Sequence, residues 1–320
     1  MDLGVFGFGG APIGNLGEPV SDSDALGAIG AAWSAGVRFF DTAPHYGLGL
    51  SERRLGEGLA HHPRDEYLVS TKVGRILVPN TSGADRMDDE GFVVPAALRR
   101  VRDYSRDGVL RSLEASLERL QLDRVDVVLV HDPDEFYREA LDGAFPALHD
   151  LREQGVIRAY GAGMNQSEML ADFVRQTDLD VILLAGRYTL YEQGAMDELL
   201  PLCLQRGVRL IAGGVFNSGI LATDSLIPPA TYNYAPPPPS VLERIARIAT
   251  VCRRHGVSVP AAAVQFVLAH PAVATACLGA RTAAEVQRNA TLFGAVIPPE
   301  LWEDLKSQGL LRQDAPVPTG

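Results

Sequence analysis

Apolar residues are spaced along this chain in two alternating rhythms. Short runs that are apolar at nearly every position occur at 3–8, 37–40, 67–71, 125–130, 157–162, 181–185, 208–212 and 273–278. Runs such as VDVVLV read as strands buried on both faces, as in a parallel sheet. Between most of them the spacing changes to helical. Leu110, Leu113, Leu117 and Leu120 recur at steps of three and four after Asp107, read as an N-cap. Ser21 with Asp24 resembles a capping box opening a helix through Leu26, Ile29 and Trp33. Further helical patterns cover 50–60, 138–154, 194–206, 240–255, 260–269 and 282–293. Eight strands alternating with helices over 320 residues predict an α/β (β/α)8 TIM barrel forming one domain over 1–320. A doubly wound open sheet is the alternative.

Two connections are too long for ordinary barrel loops: 75–106 after the third strand and 214–239, containing the APPPP run, after the seventh. Both follow strands, so both belong to the C-terminal face, where barrel active sites form. They read as lids or binding loops.

Composition narrows the chemistry. Charged residues make up 22% and the net charge is −11, which gives no electrostatic footprint for nucleic acid. No apolar run reaches the roughly 20 residues of a membrane span. The N-terminal stretch MDLGVFGFGG lacks the pattern of a secretion signal. Cys203, Cys252 and Cys277 are far apart and show no metal-type spacing, which suits reduced thiols in the cytoplasm. Of the 29 basic residues only Lys72 and Lys306 are lysines. A lysine ammonium is a compact, tunable charge that arginine does not imitate, so Lys72, inside LVSTKV, stands out.

Four polar residues fall at or just beyond strand ends: Asp41, Tyr46, Lys72 and His131. In a parallel barrel these ends meet at one mouth. A free phenol has a pKa near 10; an adjacent ammonium favours the phenolate, and a carboxylate holds the ammonium. With a histidine to bind the substrate oxygen, the set forms a proton relay for carbonyl–alcohol chemistry. No metal cluster and no nucleophilic triad accompanies it, so the chemistry calls for a hydride-carrying cofactor.

Five motifs in order carry a resemblance through nearly the whole chain: GFGGAPIG at 7–14, FFDTAPHYG with SE at 39–52, STKVG at 70–74, DVVLVHDP at 126–133 and LGARTAAEVQRN at 278–289. Together they resemble the aldo-keto reductases. The resemblance implies a barrel that binds nicotinamide dinucleotide without a Rossmann domain. It implies that Tyr46 is the general acid/base, that Lys72 and Asp41 tune it, and that His131 orients the substrate carbonyl. It also places Gly9, Asn165, Gly213, Gly279, Arg281, Glu285 and Asn289 on the cofactor. His45, Asp132 and Arg187 are candidates for the substrate wall.

Several positions depart from the family pattern. Ala185 stands where a Gln is frequent, and Gly213 or Gly214 stands where a tyrosine stacks on the nicotinamide, with Phe216 nearby. Glu285 replaces a basic residue that holds a 2′-phosphate in NADP-preferring members. A carboxylate there repels phosphate and can accept bonds from a free ribose hydroxyl, so NAD is favoured over NADP, although Arg281 can still pair with phosphate. GFGGAPIGNL, LVHDPD, AGRYTLYEQG and ATYNYAPPPP resemble the subgroup containing L-fucose (D-threo-aldose) 1-dehydrogenases and pyridoxal 4-dehydrogenase. That implies a small-molecule partner, an aldose or aldehyde, and oxidation of a cyclic hemiacetal to a lactone. An NADPH-dependent carbonyl reductase and a non-catalytic cofactor-binding regulator are the alternatives. The chain starts almost at its first strand, without the hairpin that closes the barrel bottom in such proteins, so other residues must close it.

Overall fold

A computed structural model describes residues 1–81, 83, 85–224 and 231–318. Its centre is a closed barrel of eight parallel strands: β1 (Phe6–Gly9), β2 (Phe39–Asp41), β3 (Leu68–Val73), β6 (Val127–His131), β7 (Ala159–Met164), β8 (Val181–Ala185), β9 (Arg209–Gly213) and β10 (Val273–Gly279). Neighbours follow chain order, and β10 pairs with β1 to close the ring. All eight expected runs form strands, with boundaries moved by a few residues. The open-sheet alternative fails because β1 and β10 pair over Phe6–Gly9 and leave no edge.

Helices cover the outside of the barrel. α1 (Asp22–Ser34) starts at Ser21, whose hydroxyl accepts the Asp24 amide at 3.1 Å, as the capping box predicts. α2 (Leu50–Leu59) follows the turn after β2. α3 (Arg106–Leu120) is capped by Ser105 and not by Asp107. Ser105 has extended backbone and accepts the Gly108 amide at 3.1 Å, while Asp107 sits in the first turn, where its charge still suits the helix dipole. The expected helix 138–154 is α4 (Tyr137–Glu139), a π turn over Ala140–Ala144, and α5 (Phe145–Glu153). α7 (Leu199–Arg206), α8 (Pro239–Arg254), α9 (Val259–Leu268) and α10 (Ala283–Phe293) match expectation. α6 (Ser167–Gln176) and α11 (Pro299–Ser307) were not anticipated; both are short and bury only a few apolar side chains. No helix among the described residues is long and apolar enough to cross a membrane.

Apolar burial is divided among three places. The largest cluster lies between the sheet and the helices. A second fills the barrel from below: Leu3 packs with Phe39, Val127, Ala159 and Val181, all at or near strand starts. These side chains close the barrel bottom. The third cluster, Leu48, Phe92 and Val94 with Tyr46, Leu50 and Leu77 against them, lies at the opposite end.

That third cluster joins the turn after β2 to the connection expected to be a long loop. Residues 75–106 instead contain an antiparallel hairpin, β4 (Arg75–Pro79) and β5 (Leu98–Arg102), paired from Arg75–Arg102 to Pro79–Leu98. Its segments Ile76–Val78 and Leu98–Val101 are too short and too interrupted by arginine to rival the barrel strands in an apolar profile. The other connection carries a short turn at Asn217–Gly219 and a bridge between Tyr232 and Ala235. Residues 225–230 of that expected loop lie outside the described residues.

Candidate active site

At the C-terminal ends of β2, β3 and β6, four side chains converge. Asp41 ends β2 and registers with Ser70; Lys72 lies near the end of β3 and registers with Leu129. Lys72 is 1% exposed, and its ammonium donates to Asp41 Oδ1 at 2.9 Å, Asp41 Oδ2 at 2.7 Å and the Thr42 carbonyl at 2.9 Å. Ser70 Oγ donates to Asp41 Oδ1 at 2.7 Å. A buried ion pair of this kind withstands desolvation only when its remaining hydrogen-bonding capacity is satisfied, as it is here. Burial, the largest single influence, works to lower the Lys72 pKa, but Asp41 and Tyr46 outweigh it and hold the ammonium more basic than usual.

The turn after β2 brings Tyr46 over this pair. The Lys72 ammonium lies 4.6 Å from the centroid of the phenol ring, and the His131 ring stands perpendicular to that ring at 5.7 Å. Lys72 was expected to lower the phenol pKa. It does act in that direction, through its charge and a hydrogen bond, but burial is the larger effect and the net shift is upward. The phenol is therefore protonated at neutral pH. His131 is held well below its ordinary pKa by burial, then by Arg75, Lys72, His45 and Arg102. It is a neutral imidazole with Nδ1 buried and without a hydrogen-bond partner.

A support layer lies behind the strand ends. Glu52, fully buried on α2, accepts from Thr71 Oγ1 at 2.7 Å and from Arg119 Nε at 2.6 Å. Ser51 Oγ donates to the Gly10 carbonyl at 2.7 Å. The S-E pair that ends the second motif thus ties α2 to the strand carrying Lys72 and to the end of β1.

The facing wall comes from the hairpin. The Arg100 side chain is enclosed, pairs with the equally enclosed Asp88 carboxylate at 2.5 and 3.2 Å, and donates from Nη2 to the carbonyl of His45 at 2.9 Å. His45 precedes Tyr46, so this guanidinium holds the turn that places the phenol. Phe92 packs edge-on to the His45 ring at 5.0 Å and lies 6.0 Å from the Tyr46 ring. The His45 ring also stands edge-on to the His131 ring at 5.5 Å. Its pKa is pushed down to about 2 by burial and then by Arg75 and Arg100.

Asp132, the next residue after His131, has φ of 40°, a left-handed backbone that costs a non-glycine residue about 1–3 kcal/mol. It is held there by the bond from its amide to Gly163 O at 3.1 Å. Tyr104 Oη also donates to His131 O at 2.7 Å, with Asp132 O at 3.0 Å. Its carboxylate pairs with Arg75 Nη2 at 2.5 Å and lies 3.6 Å from His131 Nε2. Burial raises the pKa of this carboxyl. Sequence reasoning missed Arg75, Asp88, Glu90, Phe92 and Arg100. The available signal was the arginine density of LRRVR and the length of the connection.

The residues expected on the cofactor lie around the rest of the mouth. Gly9 and Gly279 are register partners at the ends of β1 and β10. Gly213 ends β9 beside Ala185, and a Cβ on Gly213 would come within 3.1 Å of Leu183. Gly214 has φ of 57°, and a Cβ there would meet the Gly186 amide at 2.8 Å, so a tyrosine cannot occupy it without moving the backbone. Phe216 packs against the main core. Asn165, just past β7, is exposed and lines a cleft with Gln166, Arg187 and Glu192. Arg187 donates to Gly186 O at 3.1 Å and Asn233 Oδ1 at 2.9 Å. Arg187 therefore lines the same cleft as Asn165.

At the start of α10, Thr282 caps the helix and Glu285 Oε2 accepts the Arg281 amide at 2.7 Å. Arg281 lies 2.8 Å from Glu18 through Nε and donates from Nη2 to Leu16 O at 3.3 Å. Asn289 Nδ2 donates to Gly279 O at 3.3 Å.

Comparison with known proteins places this architecture. The profile of the Aldo/keto reductase family matches residues 5–308. A D-threo-aldose 1-dehydrogenase from Pseudomonas sp is 45% identical over 316 residues, covering 97% of this chain and 95% of that one. A pyridoxal 4-dehydrogenase from Microbacterium luteolum is 38% identical, with coverage of 97% and 95%. Among solved structures, the glycerol dehydrogenase of Gluconobacter oxydans superposes with a TM-score of 0.76 at 24% identity, covering 98% of this chain and 93% of that one. An aldo-keto reductase from Bacillus halodurans in holo form gives 0.74 at 22% identity, covering 96% and 92%.

Proposed function

This chain belongs to the Aldo/keto reductase family and is an oxidoreductase acting on CH–OH groups; from that premise we propose that it oxidises the anomeric hydroxyl of an aldose, such as L-fucose or D-arabinose, to the lactone with NAD as the preferred cofactor. The carrying observation is the buried Asp41–Lys72 pair beneath the Tyr46 ring, with neutral His131 5.7 Å from that ring. The substrate class is supported by the D-threo-aldose 1-dehydrogenase at 45% identity.

The residues present fit a dinucleotide. The Asn165 amide is exposed in a cleft, with no partner among the described residues for its side chain. Gly9, Gly213 and Gly279 remove side-chain bulk from three adjacent strand ends; at the start of α10, Arg281 would exchange its bonds to Glu285 and Glu18 to bind phosphate. Asn165 would hold the carboxamide, the glycines would admit the backbone of the ligand, and Asn289 would support the β10 loop. Glu285 stands where NADP-preferring relatives carry a basic residue, and a carboxylate there would repel a 2′-phosphate, which is the ground for preferring NAD. When bound, the dinucleotide supplies the hydride acceptor.

The chain's own residues handle the proton. Removing hydride from an anomeric carbon leaves a hydroxyl proton to be taken up, and Tyr46 Oη receives it. The protonated phenol must first ionise for this direction; the Lys72 ammonium, fixed by Asp41, makes that phenolate accessible. In the reverse direction the phenol is already in its donating form. Neutral His131 hydrogen-bonds the substrate oxygen and orients it. The test is a screen of L-fucose, D-arabinose, L-galactose and pyridoxal with NAD and NADP. The expected result is the highest kcat/KM with an aldose and NAD. Pyridoxal oxidation without aldose oxidation removes the sugar reading, and NADPH-dependent reduction of simple aldehydes alone removes the dehydrogenase assignment.

A further inference from the structure

We infer that the Arg75–Asp132 pair is the subsite that binds a substrate hydroxyl adjacent to the reacting carbon, so that it selects polyhydroxylated substrates over deoxygenated or aromatic ones. This names the recognition element of the reading above and rests on it for the sugar class. The pair draws on two parts of the fold: Asp132 from the strand end that carries His131, and Arg75 from the start of the inserted hairpin.

Four observations support it. The carboxylate is aimed by a strained backbone: φ of 40°, with the Asp132 amide bound to Gly163 O at 3.1 Å and Tyr104 Oη bonded to the carbonyl on either side. Nothing in the local turn demands a carboxylate for that conformation, since glycine would adopt it freely. The carboxylate is also incompletely used. Oδ2 takes Arg75 Nη2 at 2.5 Å, but His131 Nε2 is 3.6 Å away, beyond a direct hydrogen bond, and no donor among the described residues reaches Oδ1. Asp132 is open to the mouth, with its side chain 30% exposed, whereas its partner Arg75 is 7% exposed and has a buried Nε without an acceptor. Finally, Asp132 Oδ2 lies 3.6 Å from His131 Nε2, and the His131 ring is 5.7 Å from the Tyr46 ring, so a hydroxyl bound by Asp132 lies beside the oxygen that His131 orients.

The chemistry matches a sugar. A sugar hydroxyl donates one hydrogen bond and accepts another. A free carboxylate oxygen beside a fixed guanidinium offers the acceptor and the donor together, and charge-assisted bonds are the stronger kind. A substrate lacking that hydroxyl would leave Asp132 Oδ1 desolvated without a donor, and a site built this way rejects such analogues strongly.

The experiment compares L-fucose with its 2-deoxy analogue in oxidation, and D-glyceraldehyde with propionaldehyde in reduction, for wild type, Asp132→Asn and Arg75→Met. Dinucleotide affinity and melting temperature are measured alongside. The wild type is expected to favour the hydroxylated member of each pair by about 10- to 100-fold in kcat/KM. In both variants that ratio should fall to within about threefold of unity, mainly through KM for the hydroxylated substrate, with dinucleotide affinity retained. An equal loss on both members of a pair marks a structural role and overturns the inference, as does an unchanged ratio. If the wild type oxidises no aldose, the aldose reading falls, while the glyceraldehyde–propionaldehyde ratio still decides the role of the pair. A variant that loses cooperative melting is replaced by Asp132→Ser, judged on the same ratio.

Discussion

Two walls face each other across the barrel mouth, and they are built on different physical terms. One is made by strand ends: Asp41, Lys72 and His131 are buried and fixed by ladder register, the Asp41–Lys72 pair with its hydrogen bonds satisfied and His131 with its Nδ1 unpartnered. The other is made by the hairpin inserted after β3: Arg75, Asp88, Glu90, Phe92 and Arg100 are held by ion pairs and by one small apolar cluster. The first wall places the proposed proton relay. The second presses on the turn that carries Tyr46 and presents charge to the substrate. Stability and chemistry coincide in the first wall; in the second, selectivity can change with little effect on the barrel.

The largest expected effect tests the first wall. Tyr46→Phe removes the phenolic proton and keeps the ring against Phe92 and His131, so packing changes little. Turnover should fall by about 10³-fold or more, since a positioned general acid/base contributes about 10²–10⁴. Dinucleotide affinity, followed by quenching of protein fluorescence, should stay within about twofold. Turnover within tenfold of wild type would take Tyr46 out of the chemistry and leave the strand-end wall as a structural ion pair.

The two walls also differ in how readily they are read from sequence. Asp41 and Lys72 stand out because they interrupt apolar strands, where a charge needs a reason, and because lysine is almost absent from the chain. Strand ends in a parallel barrel meet by topology, so the grouping of Asp41, Lys72 and His131 follows from the strand count. The hairpin residues offer no such violation: arginine and aspartate in a polar connection look like ordinary surface. Their importance arises from tertiary contacts, such as Arg100 reaching the carbonyl of His45, 55 positions away, and a carbonyl contact leaves no trace in residue identity. The net upward shift of the Tyr46 pKa was equally hidden, because the competition between burial and Lys72 depends on how much protein surrounds the phenol.

Arg100→Leu tests whether the second wall reaches the first. The substitution removes the bond to the His45 carbonyl and leaves Asp88 buried without its partner. A displaced Tyr46 turn should lower kcat about 10- to 100-fold, because catalytic geometry is sensitive to shifts of about 1 Å. KM should change less than kcat, and Arg100→Lys should restore part of the loss. Unchanged kcat with a lower melting temperature would confine the hairpin to a structural role and separate the two walls.

The cofactor side repeats the contrast on a smaller scale. Asn165 and the glycines sit at strand ends, whereas Glu285 and Arg281 are committed to local bonds at the start of α10. Glu285→Arg should raise the NADP-to-NAD ratio of kcat/KM by about tenfold, the scale of one charge-assisted bond gained and one repulsion removed. The lost cap on the Arg281 amide should cost about 1 kcal/mol of stability. An unchanged ratio would mean that this carboxylate serves the helix and not the ligand.

The smallest effect concerns the pH range over which the second wall keeps its shape. His45 is neutral in the folded protein because burial and the arginines Arg75 and Arg100 push its pKa down to about 2 from the ordinary 6.5. The unfolded chain therefore binds a proton below about pH 6.5 that the folded chain refuses until about pH 2, so stability is complete above pH 6.5 and declines as pH falls. The slope is about 1.4 kcal/mol per pH unit for each such group. His131, also held below its ordinary value, adds to the same decline. His45→Gln removes one of these groups and keeps a polar side chain beside Glu90. By pH 5 the variant should have lost about 2 kcal/mol less than wild type relative to its stability at pH 7.5, measured by urea denaturation. Parallel pH profiles for the two proteins would show that His45 is already solvated, with the hairpin standing further from the turn than the 5.0 Å packing of Phe92 on its ring implies.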